Sequence, residues 1–252
     1  MPWQTWQQTI DTSVIVRQLG LEPVPHLPVR LLTDQATLES TLKSLVGRAR
    51  VQEVLLIAGD YGSAAGPYGS VADVLRTGAL EATGIRRVSI AGHPEGHPKV
   101  ALEEVRRAER EKVHLLLRAG LEPRFVTQFF FEPQPFLAWL RGLRALGVTA
   151  PAIAGLAGPA RLSTLFKFAL RCGAGPSIRA LGARPSSFIK LLGDHGPESV
   201  VRALTEARMA GDSDFSSIHL FCFGGFLRSC EWLNAVARGR IRLTEPGGFI
   251  AD

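Results

Sequence analysis

Short apolar runs alternate with longer segments of helical period along most of this chain. Val54–Ala58 is a continuous apolar run of strand length, the pattern of a strand covered on both faces. Strands are also predicted at Arg87–Ala91, Phe125–Phe130 and Ser217–Phe223, with a weaker one at Pro151–Leu156 and a short extended piece at Pro23–Leu27. Helical periodicity covers 7–19, which ends at Gly20, and continues from the cap Asp34 to about Val46. Further helices are expected over Ser70–Ala82, Val100–Ala119, Pro135–Leu146, Ala160–Cys172, Pro197–Met209 and Leu227–Val236, the last closing the ordered part. The 173–196 stretch, rich in Gly, Pro and Ser, reads as a long loop and not as a domain hinge.

A strand followed by a helix every ~30 residues is the rhythm of repeated βα units. The fold class expected is α/β, a (β/α)8 TIM-type barrel formed by one domain over 1–252. Such a barrel needs eight strands, and about six are visible. The expectation is therefore a barrel incomplete at its N-terminus.

Composition changes this picture little. The 252 residues are 46% apolar and 21% charged, ordinary for a globular protein. The net charge of +6 comes mostly from arginines scattered along helices, not from a block that would suit nucleic acid. Cys172, Cys222 and Cys230 form no CxxC and no zinc spacing, so reduced, buried thiols are expected. No membrane-length apolar run and no signal-peptide core are present, which points to the cytoplasm.

The chemistry concentrates at strand ends. Ala91-Gly92-His93-Pro94-Glu95-Gly96-His97-Pro98 carries two prolines, two glycines and two histidines, and follows a predicted strand. In α/β proteins, loops at that end of the sheet bind ligands. His26, Asp60 and Gln128 also fall at predicted strand ends, so successive βα units would bring them to one rim. Taken singly, a surface histidine or a turn aspartate explains each as well. Gln128 falls near the carboxyl end of the Phe125–Phe130 strand, sharing a face with Val126 and Phe130, where its amide either pairs with a neighbouring loop or hydrogen-bonds a flat heterocycle. Lys112, among Arg106, Arg107 and Arg110, is either part of a solvated basic face or a phosphate contact. No GxGxxG follows the first strand, and neither a Walker sequence nor a GxSxG elbow occurs.

The order of several segments resembles the methylenetetrahydrofolate reductase family, in a short, divergent bacterial form. They are Pro25-His26-Leu27, Ala58-Gly59-Asp60, Gly66-Pro67-Tyr68, the 91–98 loop, Lys112 and Val126–Phe131, within a resemblance spanning about 20–235. It implies a flavoprotein with FAD at the carboxyl-terminal rim. That enzyme would interconvert 5,10-methylenetetrahydrofolate and 5-methyltetrahydrofolate with NAD(P)H, as one-carbon metabolism and methionine biosynthesis require. The folate and the nicotinamide nucleotide are the implied partners, without nucleic acid or membrane, and with self-association as an option.

Carried over by the resemblance, Asp60 and Gln128 are the catalytic positions. His26, Ala58, Gly59, Asp60, Tyr68, His93, His97 and Lys112 lie along the cofactor. Asp60, Gln128 and Arg228 face the substrate, and no metal is implied. The chain departs from the family pattern at Ala58, where arginine is frequent, and at His93, where tyrosine is common. Gly224-Gly225 stands where a folate-contacting arginine is expected, with Arg228 as the nearest replacement. The family's first two strands, one bearing a glutamate that acts on the folate, have no counterpart before Pro23. The expectation is a truncated chain, or one that closes its edges by association. Two alternatives remain: a catalytically impaired flavin- or folate-binding barrel with a regulatory role, and a different barrel enzyme using His93 and His97 as acid and base.

Overall fold

The computed structural model describes residues 5–59, 61–161, 163–165, 167–168, 194–245 and 247–251. Six strands form one sheet: β1 (His26–Pro28), β2 (Glu53–Ile57), β3 (Arg87–Gly92), β4 (Glu122–Thr127), β5 (Ala152–Ala157) and, two short strands later, β8 (Ser217–Phe221). Their order is β1-β2-β3-β4-β5-β8, parallel, with helices between successive strands. That is the arrangement of an incomplete TIM-type barrel.

The chain groups into two compact units, Met1–Ala91 with Arg106–Phe125 and Gly92–Val105 with Val126–Asp252. In the first, α1 (Trp6–Gln18) starts at a capping box in which Thr5 and Gln8 satisfy each other's backbone N–H groups. Helix α2 (Gln35–Ala49) starts where Asp34 accepts the Thr37 N–H at 2.7 Å. Its Leu38, Leu42, Leu45 and Ala49 repeat on one face and are fully buried, each leucine contributing about 2 kcal/mol. The helix expected over Ser70–Ala82 is two, α3 (Val71–Leu75) and α4 (Ala79–Ala82). Between them Thr77 Oγ1 donates to the Val74 carbonyl and accepts the Ala79 N–H, and Gly78 takes φ 75°. Helix α5 (Leu102–Arg118) buries Val105, Glu109, Val113 and Leu116 along one stripe and ends before Gly120, at φ 71°.

In the second unit, α6 (Pro133–Ala145) has proline in its first turn and buries Phe136, Leu137, Trp139, Leu140 and Leu143. Helices α7 (Glu198–Met209) and α8 (Phe226–Ala237) follow. Residues 160–161, expected to open a helix, form instead a short strand β6 paired antiparallel with β7 (Asp194–His195). Most of the expected helix end and of the 173–196 loop lies outside the described residues.

The chain does not stop being ordered at α8. Strands β9 (Ile241–Thr244) and β10 (Gly248–Ala251) form an antiparallel hairpin. Arg202 Nη1 donates to the carbonyls of Thr244 and Gly248, and Phe249 packs beside Trp232. Buried thiols are not found either: Cys222 is exposed and Cys230 half-buried, while Cys172 lies outside the described residues.

Strand β4 stops at Thr127, three residues before the predicted run ends at Phe130. The Gly155 N–H, which a longer ladder would direct to the β4 backbone, goes to Thr127 Oγ1 at 2.8 Å. Gly155 has to be glycine here, because a Cβ would run into the Thr127 carbonyl and lie 2.9 Å from the Phe221 ring. Beyond the break, Phe130 stacks on Phe136 at 5.1 Å, whereas Phe129 meets Phe223 edge-on at 4.8 Å. Gln128 thus follows directly on the carboxyl end of β4.

Candidate functional site

In the first unit, the loop after β2 is built by its neighbours. Arg30 donates from Nε to the Gly69 carbonyl (2.9 Å) and from Nη1 to the Tyr61 carbonyl (3.1 Å). The Arg30 N–H reaches the Ala58 carbonyl at 3.3 Å. One arginine from the turn after β1 therefore ties down both ends of the 58–69 loop. Gly59 takes φ 89°, and the Tyr61 ring lies 2.7 Å from where its Cβ would be. Gly66 sits against the Thr33 backbone, with no room for a side chain. Tyr68 is only 4% exposed; burial raises its phenol pKa, and the charges of Asp34 and Glu39 raise it further. It therefore stays a neutral donor. Asp60 lies outside the described residues.

His26 opens β1 opposite Leu55. The residue is exposed to solvent, yet desolvation lowers its pKa. Both hold where the protein is dense around a ring that keeps one open side. Lys112, half-buried on α5, has its pKa lowered by burial, while Glu109 and Glu111 pull the other way. Glu109 is fully buried and accepts from Arg106 Nη1 at 2.9 Å. The basic face of α5 is thus not uniformly solvated: Arg106 and Lys112 are drawn inward while Arg107 and Arg110 stay exposed.

The pH dependence has a definite sign. A lowered histidine pKa means the unfolded chain takes up a proton first as pH falls below 6.5. Stability should therefore decline from pH 7 downward through the interval between 6.5 and the lower folded-state value. The His26→Gln variant should flatten that part of a melting-temperature profile; an unchanged profile would remove the assignment.

In the second unit, β3 ends at Gly92, whose Cβ position is filled by the Trp139 ring at 2.8 Å. The carbonyl of Gly92 accepts the Gln128 N–H at 3.0 Å. Gln128 and His93 thus emerge from neighbouring strand ends. The His93 and His97 rings meet edge-on at 5.8 Å, and the turn between them closes by the Gly96 N–H donating to the His93 carbonyl. His97 is exposed, and its Nδ1 accepts the Lys99 N–H at 3.2 Å. The Gln128 side-chain nitrogen Nε2 is buried and has no hydrogen-bond partner among the described residues. Such a donor carries a desolvation cost that a ligand carbonyl would relieve.

Near the end of β8, aromatic residues that carry no expected role pack together. Phe221 and Phe223 stack at 5.6 Å, Phe223 stacks on Phe168 at 4.3 Å, and His219 stands edge-on to Phe221 at 4.6 Å. With Phe129 and Phe131 they form an aromatic wall in the second unit. Alternate aromatic residues running past the strand's end were the available signal. Arg228 is exposed on the first turn of α8. Among the described residues no group of His, Cys, Asp and Glu could hold a metal ion, and no helix is long and apolar enough to cross a membrane.

A six-stranded parallel sheet with helices between its strands defines the class, an α/β protein of TIM-barrel type. Within that class the chain belongs to the methylenetetrahydrofolate reductase family, whose family model it matches over residues 4–174. The match covers the 58–69 loop, the 91–98 loop, Lys112 and Gln128. The family generally binds flavin and marks the chain as an oxidoreductase of folate type. Taken unit by unit, features suited to such a group are present: in the first, Gly59 leaves no room for a side chain and Lys112 is half-buried on α5; in the second, Gln128 presents a buried amide donor with no partner among the described residues.

Proposed function

We propose that this chain is an FAD-dependent oxidoreductase that interconverts 5,10-methylenetetrahydrofolate and 5-methyltetrahydrofolate with NAD(P)H. It would act in the cytoplasm, with the whole chain working as one flavin-binding barrel domain. The observation that carries the reading is the Nε2 of Gln128 just past the end of β4, buried and without a partner among the described residues, in a family that generally binds flavin. When bound, the flavin supplies hydride transfer, and the protein supplies binding, orientation and electrostatics.

The chain's own residues divide that work. Gln128 donates from Nε2 to a carbonyl oxygen of a flat heterocycle and so fixes its plane. His26, with a lowered pKa, meets its ligand as a neutral imidazole at pH 7. Tyr68 stays protonated inside its loop and holds shape, not charge. Lys112 brings positive charge to a phosphate, and His93 and His97 with the turn between them form one side of the cofactor's path. Asp60 and Arg228 serve the folate. Arg30 positions the 58–69 loop through the carbonyls of Tyr61 and Gly69.

The test is direct. The full chain, incubated with excess FAD and passed through gel filtration, should retain a flavin spectrum that NAD(P)H bleaches and methylenetetrahydrofolate restores. No retained flavin would overturn the reading. Flavin bleached by NAD(P)H but never reoxidised by the folate would assign the chain a binding or regulatory role instead.

A further inference from the structure

At the opposite end of the strands, the first unit holds a second polar cluster that the proposed reaction leaves unused. Glu53 begins β2, Arg87 begins β3 opposite it, and Arg124 stands near the start of β4. Glu53 is 4% exposed. Its Oε1 accepts from Ser89 Oγ at 2.7 Å, and its Oε2 accepts from both Arg87 Nε (3.2 Å) and Arg124 Nη1 (3.3 Å). One carboxylate is thus shared by two guanidinium groups and neutralises one of them. Arg86 and Glu122 at the same strand starts are both exposed and leave this excess of positive charge in place.

The donors are not used up. A guanidinium has five N–H donors in a planar fork. Among the described residues the bond to Glu53 is the only one each side chain makes. The rest of each fork is reachable, since the Arg87 and Arg124 side chains are 27% and 34% exposed. A cation held in place by a buried partner, about a third open to solvent and short of acceptors, suits an oxyanion, which a guanidinium binds bidentately. The length of β2, about 13 Å at ~3.3 Å per residue, separates this cluster from Ala58 and Gly59.

We propose that Arg87 and Arg124 form a binding site for a small tetrahedral oxyanion, a phosphate or the phosphate group of a small metabolite, at the amino-terminal end of the sheet. Glu53 is its positioning residue: it fixes both guanidinium groups and sets the excess charge at one. The site is separate from flavin and folate binding, so its occupancy should leave flavin retention unchanged.

The experiment is a calorimetric and melting-temperature titration of the full chain with inorganic phosphate, and in a second arm with glycerol phosphate, at ionic strength held constant with chloride. Saturable binding of phosphate is expected. Equal affinity in the two arms would indicate free phosphate as the ligand, and tighter binding of the ester a phosphorylated metabolite. Arg124→Lys keeps the charge facing Glu53 but removes the fork, and should weaken binding about tenfold. Glu53→Gln removes the competing charge, and should tighten binding about as much if the variant folds. No saturable response to either anion, or affinity unchanged in Arg124→Lys, would overturn the proposal. Flavin retention is read on the same samples, so a failure here is distinct from a failure of the proposed function.

Discussion

Replacing Glu53 by alanine is expected to cost roughly 2–3 kcal/mol of stability. Removing one member of a buried ion pair typically costs ~3–5 kcal/mol, because the partner is left charged and unpaired. Here both partners are about a third open to solvent, so water recovers part of that loss. The Ser89 hydroxyl, fully buried, loses its acceptor as well and recovers nothing. For a chain of this size the melting temperature should fall by about 5–10 °C. Glu53→Gln keeps one acceptor oxygen, which can face the two arginines while its new NH2 donates to the Ser89 hydroxyl, and should lose about half as much. A Glu53→Ala loss below ~0.5 kcal/mol would show the cluster to be an ordinary surface pair.

Much of this was legible in the sequence, for physical reasons that differ by element. Strand β2 reads clearly because both its faces are covered, so Val54, Leu55 and Leu56 form an unbroken apolar run. Glu53 did not read as part of it, since its buried position depends on Arg87 and Arg124, far away along the chain. The α3–α4 break was hidden because the apolar positions on either side keep a helical spacing while the Thr77 hydroxyl and Gly78 close the turn. The C-terminal hairpin was passed over because Ile241 and Leu243 are exposed and give no buried stripe. Pairing across the turn before Gly248, and not a hydrophobic pattern, makes it a sheet.

The candidate site divides in the same way. Loop residues such as His93, His97 and Gly59 could be found because Pro and Gly punctuate the chain around them. Arg30 could not, because it works through two backbone carbonyls in a loop more than thirty residues away. The strand end near Gln128 was legible, but its exact residue was not: β4 ends at Thr127, whose hydroxyl takes the Gly155 N–H.

Gln128→Leu is therefore expected to move stability and function in opposite directions. In the ligand-free protein its Nε2 is buried with no partner among the described residues, and an apolar side chain of similar length removes that penalty. The variant should be about 1 kcal/mol more stable, a rise of ~2–4 °C in melting temperature. With the donor gone, kcat/KM for the folate should fall about 100-fold, near 2.7 kcal/mol of lost transition-state binding. Flavin retention in both proteins, read by absorbance, separates loss of substrate contact from loss of cofactor. A Gln128→Leu protein that is less stable would mean the amide is already satisfied in the folded chain. An active one would remove Gln128 from the proposed site. The two readouts together distinguish a residue kept for packing from one kept at a cost to the fold because a ligand completes it.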